Sequence, residues 1–276
     1  MITPSDRTTR SDTTAQRQPD FSRTSVIPKF LDHARSQQST PLTGSGHTAE
    51  RFAVLRVAAA DDPSLGRLIE SHEDALAIHT EAGRDVPRGA ALAVWAAESR
   101  GGLVLHRSGS GFRVVGTKGF CGGASVVDAA LVTVAWTDAG PDGSSPTSLV
   151  LVPVRDAGVR VHPNEWRQPA FAEADVCSVE LDLEIGADRL IGPPGFYTDR
   201  PGVWQGAVGV AAVWAGIGDA LVAGPASDAT TSWRAWLVVR SPRCAGASTP
   251  PWPTPRRAST ARRWNPRSTS PPQPAT

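Results

Sequence analysis

Gly116-Thr117-Lys118-Gly119-Phe120-Cys121-Gly122-Gly123-Ala124 leads, after Ser125 and Val126, into Val127-Asp128-Ala129-Ala130-Leu131-Val132. The first segment reads as a strand that ends in a glycine turn. The second opens a strand over 126–136 rich in apolar and β-branched residues. Upstream, 90–97 reads as another strand. Ser108-Gly109-Ser110-Gly111 then joins 103–106 to 112–115 as a hairpin. Downstream, Gly140-Pro141-Asp142-Gly143 is a turn, and 148–154, 158–162 and 176–183 are further strands. Many short strands at this spacing predict an antiparallel barrel or sandwich over 89–192.

Before this β-region the pattern is helical. Residues 29–36 can form a helix, and 41–46 is a loop. Thr48 is placed to cap a helix whose apolar positions are Phe52, Leu55 and Ala59. Asp62 caps the next helix, with Pro63 at its first position. Leu65, Leu68, Ile69, His72, Ala75, Leu76 and His79 then fall on one face, and Gly83 ends it. His72 on that face is expected to be a buried histidine with a hydrogen-bond partner.

After the β-region, Ile191-Gly192-Pro193-Pro194-Gly195 breaks the strand pattern. Residues 203–224 form an apolar, small-residue run. As a helix it is expected to be buried on every side. A membrane span is not expected, because the run is barely long enough, glycine-rich, and carries Gln205 and Asp219. The fold class is therefore α+β. A mostly disordered segment, 1–46, precedes N-terminal helices over 47–88 and a middle antiparallel β-barrel over 89–192. The start of a C-terminal helical bundle follows at 193–228, and then a disordered tail at 229–276.

The chain has 276 residues and a net charge of +1. That balance gives no reason to expect nucleic acid or an anionic membrane as partner. Cys121, Cys177 and Cys244 are far apart and form no CxxC pair, which argues against a disulfide framework or a zinc site. A reducing, cytoplasmic compartment fits, and no secretory signal is visible. Every Asp and Glu lies before residue 230. Beyond it stand Arg, Pro, Ser and Thr with Trp233, Trp236, Trp252 and Trp264. Such a segment buries too little apolar surface to offset the ordering of its backbone. A shifted reading frame in a GC-rich gene gives this composition, so a frameshift near 225–232 is expected.

The order of these segments resembles the acyl-CoA dehydrogenase superfamily. Residues 116–124 resemble that family's G-x-K-x-W-I-T-N-G, and Val127-Asp128-Ala129-Ala130-Leu131-Val132 its A-D step and strand. Ala93-Val94-Trp95-Ala96-Ala97-Glu98-Ser99 resembles the strand and turn that read V-T-E-P. Val179-Glu180-Leu181-Asp182 and Leu190-Ile191-Gly192 resemble the passage into the C-terminal bundle. Glu70-Ser71-His72-Glu73-Asp74-Ala75 resembles a helix of a divergent bacterial branch. The resemblance spans about 47 to 225.

The resemblance implies an FAD-dependent oxidoreductase acting on the CH–CH group of an acyl thioester, such as an acyl-CoA, and impaired by loss of the C-terminal domain. The flavin would lie against the barrel, near Trp95, Ala96, Ala97, Phe120, Cys121 and Gly122, and Ser99 would face the substrate. The hydroxyls that usually bond the flavin are replaced by Ala97 and Gly122, which leaves backbone N–H groups as donors. Phe120 stands where the family has Trp. Cys121 is expected to pack, not to act as a nucleophile, and Glu98 to be structural. No catalytic residue is assigned: the usual Y-E-G-T-like context does not occur, and nothing points to Asp219 as the base. A homo-oligomer is expected of the family. Two alternatives stand beside this reading: a flavin oxidase or monooxygenase of the same superfamily, and a non-enzymatic remnant that binds flavin weakly or not at all.

Overall fold

The structure, a computed structural model, describes residues 26–36, 40–86, 89–97, 102–137, 146–162, 166–168 and 170–223. The expectations for residues 1–25, the turn at 140–143, Glu98, Ser99 and the tail lie outside these residues.

Three helices come first: α1 (Val26–Arg35), α2 (Thr48–Asp61) and α3 (Pro63–Glu81). α1 starts earlier than the sequence suggests, and its Phe30 is fully buried. α2 is not capped by the Thr48 hydroxyl. His47 holds the cap position without a side-chain cap bond, and Thr48 is the first helical residue. A pair between His47 Nδ1 and Glu50 Oε1, 2.9 Å apart, braces that first turn instead. α3 begins as expected. Asp62 Oδ1 accepts from the Ser64 and Leu65 amides at 2.6 and 3.3 Å, which satisfies two donors that a helix start leaves open. Gly83, at φ +64°, turns the chain out of it.

α3 is buried round most of its circumference. Leu65, Leu68, Ile69, Ala75 and Ile78 enter apolar clusters, while Glu70, Glu73 and Asp74 are also buried. The acids are paired. Asp74 receives Arg200 Nη2 at 2.9 and 3.1 Å, and Glu81 receives Arg200 Nη1 at 3.2 Å. His33 Nε2 lies 2.7 Å from Glu73 Oε1. Buried charges require such partners, since an isolated ion in the interior is costly.

Eight strands follow: β1 (Leu92–Trp95), β2 (Leu103–Ser108), β3 (Gly111–Cys121), β4 (Ala129–Trp136), β5 (Thr147–Pro153), β6 (Val159–Val161), β7 (Cys177–Ile185) and β8 (Leu190–Ile191). The hairpin is as expected, with Ser108 opposite Gly111 and Gly109 at φ +55°. The closed antiparallel barrel is not. The strands form one open sheet in the order β6-β7-β3-β2-β4-β5-β8, with β1 also on β4. The sheet is mixed, because β1 and β2 both run parallel to β4. They share one edge of it: β1 pairs with 129–132, and β2 only with Ala135 and Trp136. Across that short seam the two halves of the sheet share one core. Val132, Val134 and Val150 from one half share an apolar cluster with Val114, Val179 and Leu181 from the other. The helices contribute Phe30, Leu55 and Leu68 to the same cluster, so helices complete a core that a closed barrel would complete with itself.

A short helix, α4 (Phe196–Asp199), leads to α5 (Val203–Ala223). α5 is not buried on every side. Gly206, Gly209, Ala212, Val213 and Gly216 are buried, while Trp204, Val208, Trp214 and Val222 are half or more exposed. The glycines permit a close approach: a Cβ on Gly216 would collide with the Arg56 carbonyl of α2, and one on Gly206 with the Asp74 carboxylate. Apolar composition therefore marks a narrow packing face here. By length and composition α5 could cross a membrane. Its glycine face, and an Asp219–Arg56 ion pair with Oδ1 2.7 Å from Nη2, seat it on α2.

Candidate functional site

The end of β3 is distorted. Its ladder to β7 shifts register between Lys118 and Cys121, and Phe120 within the shift adopts φ +58°, the left-handed region. Such a conformation costs a bulky residue about 1–3 kcal/mol. The bulge separates neighbours: Phe120 is 62% exposed, while Cys121 is fully buried. Lys118, just before the bulge, is buried and fixes β3 to β4 by donating from Nζ to Thr133 Oγ1 at 2.8 Å and to Thr133 O at 3.2 Å.

β1 runs beside this point. One edge pairs with β4, and α3 side chains satisfy amides of the strand. Val94 N donates to Ser71 Oγ at 2.9 Å, and Leu92 N donates to His72 Nδ1 at 3.1 Å. His72 is therefore the buried, bonded histidine expected. Burial pushes its pKa down to about 4, and an Nδ1 that accepts from an amide belongs to the neutral ring. At the end of β1, Trp95 Nε1 donates to the Gly122 carbonyl at 3.0 Å. This bond joins the two motif segments.

The loop after β3 is tied to the segment before β7. Gly123 N donates to Ala174 O at 2.9 Å, and Ser125 N donates to Asp175 Oδ2 at 2.6 Å. Phe171 and Asp175 also have left-handed backbones, at φ +61° and +48°. The three non-glycine residues of positive φ among those described thus lie around one place.

That place is a cavity of about 320 Å³. It is walled by α1, α3, β1, the end of β3 and α5. Phe30, Phe120, Trp166, Phe171 and Trp214 line it with aromatic rings. Phe171 and Trp214 meet edge to face, centroids 5.5 Å apart. Arg67 is the charged residue of the described wall, and no described wall residue is a carboxylate. A second cavity of about 470 Å³ shares Val127 with it and is lined by Ser125, Arg155 and His162.

The structure therefore sorts the sequence candidates. Phe120 and Gly122 line the cavity. Trp95 is buried and acts as a tie between strands. Ala96 is partly buried and Ala97 exposed just beyond β1. Cys121 packs in the core, where burial pushes its thiol pKa up to about 12, so a nucleophilic role does not fit. Asp219 is engaged with Arg56 away from the cavity wall. Arg67, Phe171 and Trp214 were not singled out in the sequence. Arg67 and Ser71 are four residues apart and share an α3 face, which was the available signal. Phe171 and Trp214 come from distant segments and carried none.

No protein-family model matches the chain, and no curated protein does. Solved structures do. One is TdsC from Paenibacillus sp. A11-2, a dibenzothiophene monooxygenase whose indole-bound form is 20% identical, over 71% of this chain and 60% of that one, with a TM-score of 0.53. TdsC is also solved with FMN and indole. Another is nitrososynthase from Micromonospora carbonacea var. africana, 19% identical over 77% and 63%, with a TM-score of 0.57. A third is XiaF from Streptomyces sp. in complex with FADH2 and glycerol, 20% identical over 72% and 53%, with a TM-score of 0.52. The chain thus spans less than two thirds of each. At these identities the likeness establishes the fold alone, which the described residues share with these solved enzymes.

Proposed function

We propose that the chain is a flavin-dependent oxidoreductase and that its cavity takes a small aromatic molecule. The observation that carries this reading is the aromatic wall built around the strained Phe120, at the point where β1 meets β3. An apolar space lined by aromatic rings suits a planar ring system. The adjoining cavity offers Arg155 and His162 to the phosphates of FAD or FMN. A bound flavin would supply the redox chemistry.

The chain's own residues would position and shield. Phe120 and Trp214 offer ring faces and edges to whatever occupies the cavity, and Leu68 and Val127 help to keep water out. The Trp95–Gly122 bond holds the β3 end in place. Strain at Phe120 persists because the surrounding ladder and loop over-determine it.

Of the two enzymatic chemistries open to this fold, a monooxygenase or oxidase reaction fits the wall better than thioester dehydrogenation. The latter needs a carboxylate base to take the α-proton, and the described wall offers none. The test begins with a spectrum. The purified chain is mixed with excess FAD, passed through a desalting column and scanned. Retained flavin absorbance is expected; none at saturating FAD sinks the flavin reading and favours the non-enzymatic remnant. Flavin-loaded protein is then given an acyl-CoA without oxygen. Bleaching would return the assignment to an acyl-CoA dehydrogenase.

A further inference from the structure

We infer that Arg67 is the recognition point for an anionic group, a carboxylate, on the aromatic molecule that enters the cavity. The inference rests on reading that cavity as the substrate site. Arg67 lines it among aromatic and aliphatic side chains. Its guanidinium is only partly committed. Nη1 donates to Glu70 Oε2, whereas Nε and Nη2 have no hydrogen-bond partner among the described residues. Those two nitrogens form the side-on fork that holds a carboxylate by two parallel bonds. The Glu70 pair also orients the guanidinium, because Glu70 is buried on α3 one turn further on.

The hydroxyl on the described wall is already engaged. Ser71 Oγ accepts from Val94 N at 2.9 Å and lies 3.4 Å from Val94 O. The remaining wall discriminates by shape, since apolar surface tells one flat ring from another only weakly. A charged fork adds a directional contact that such surface lacks, and at Arg67, whose side chain is 36% exposed, solvent moderates but does not remove it.

Equilibrium dialysis of the full chain against 2-naphthoate and against its neutral analogue 2-naphthalenemethanol tests this without using flavin. Naphthoate is expected to bind at least about tenfold more tightly. Arg67→Gln should abolish that preference and leave the neutral probe's affinity unchanged, which shows the cavity intact. If Arg67→Gln loses both probes, Arg67→Lys decides: it keeps the charge and must keep part of the preference. Equal binding of the two probes overturns the inference. So does a preference that survives Arg67→Gln, or the absence of binding by either probe. Failure to retain FAD with selective naphthoate binding removes the flavin reading and leaves this one. Retained FAD without selectivity does the reverse.

Discussion

Trp95 Nε1 and the Gly122 carbonyl, 3.0 Å apart, join the end of β1 to the end of β3. The indole is buried, so the bond lies where water competes poorly for either group. Trp95→Phe keeps most of the packing and strips the donor. It is expected to lower stability by about 1–2 kcal/mol, because the Gly122 oxygen loses its partner. Urea denaturation of the two proteins measures this. A loss near zero would mean that the bond does not hold the strand ends together.

Phe120 separates strain from function. Phe120→Ala keeps the left-handed backbone and loses the ring. Phe120→Gly loses the ring and relieves the strain, since only glycine adopts φ +58° freely. The glycine variant is expected to be the more stable of the two by about 1 kcal/mol, and both should retain less FAD than the parent. Thermal melts and flavin retention check the two halves. An alanine variant as stable as the glycine one would remove the case for strain.

Arg200 is a structural cation. Its side chain is 1% exposed and bridges Asp74 and Glu81. Arg200→Ala strands the buried Asp74 carboxylate and the partly buried one of Glu81, with an expected loss of about 3 kcal/mol or more. Asp74→Asn should cost less, because Glu81 still pairs with the guanidinium. Chemical denaturation orders the two variants, and equal losses would argue against a shared network.

His72 makes stability depend on pH. Burial lowers its folded pKa from 6.5 to about 4. The unfolded chain therefore binds the proton first, and the stabilising contribution is complete above pH 6.5. It is lost as the pH falls from 6.5 through about 4, amounting to about 3 kcal/mol. His72→Asn can still accept from Leu92 N but does not titrate. The stability difference between parent and variant should shrink with acidification across that window. Burial raises the carboxyl pKa values of Glu70 and Asp74, an effect of opposite sign. The difference between the two proteins cancels their contribution, and a difference independent of pH would show that His72 does not titrate as stated.

The local features were legible in the sequence because their causes are local. Asp62 and Pro63 mark the start of α3, since a capping carboxylate and a preset φ act within one turn. Ser108-Gly109-Ser110-Gly111 marks the hairpin, since a two-residue turn needs a residue of positive φ. The glycine-ended strand over 116–124 was singled out from its own residues, and its Phe120 and Gly122 line the cavity.

Pairing partners and solvent access were decided elsewhere. Period-two alternation identifies strands but is blind to direction, so the parallel pairing of β1 and β2 with β4, and the open sheet, appeared only in three dimensions. Apolar composition located α5, yet its one-sided burial depends on how closely glycine lets α2 and α3 approach. The residues that give the cavity its chemistry, Arg67, Phe171 and Trp214, come from segments far apart in the chain. The sequence by itself determined where the strands and helices lie and marked the strand end beside the cavity. Tertiary structure alone decided what surrounds it, because a wall is made of residues whose proximity results from long-range packing and not from spacing along the chain.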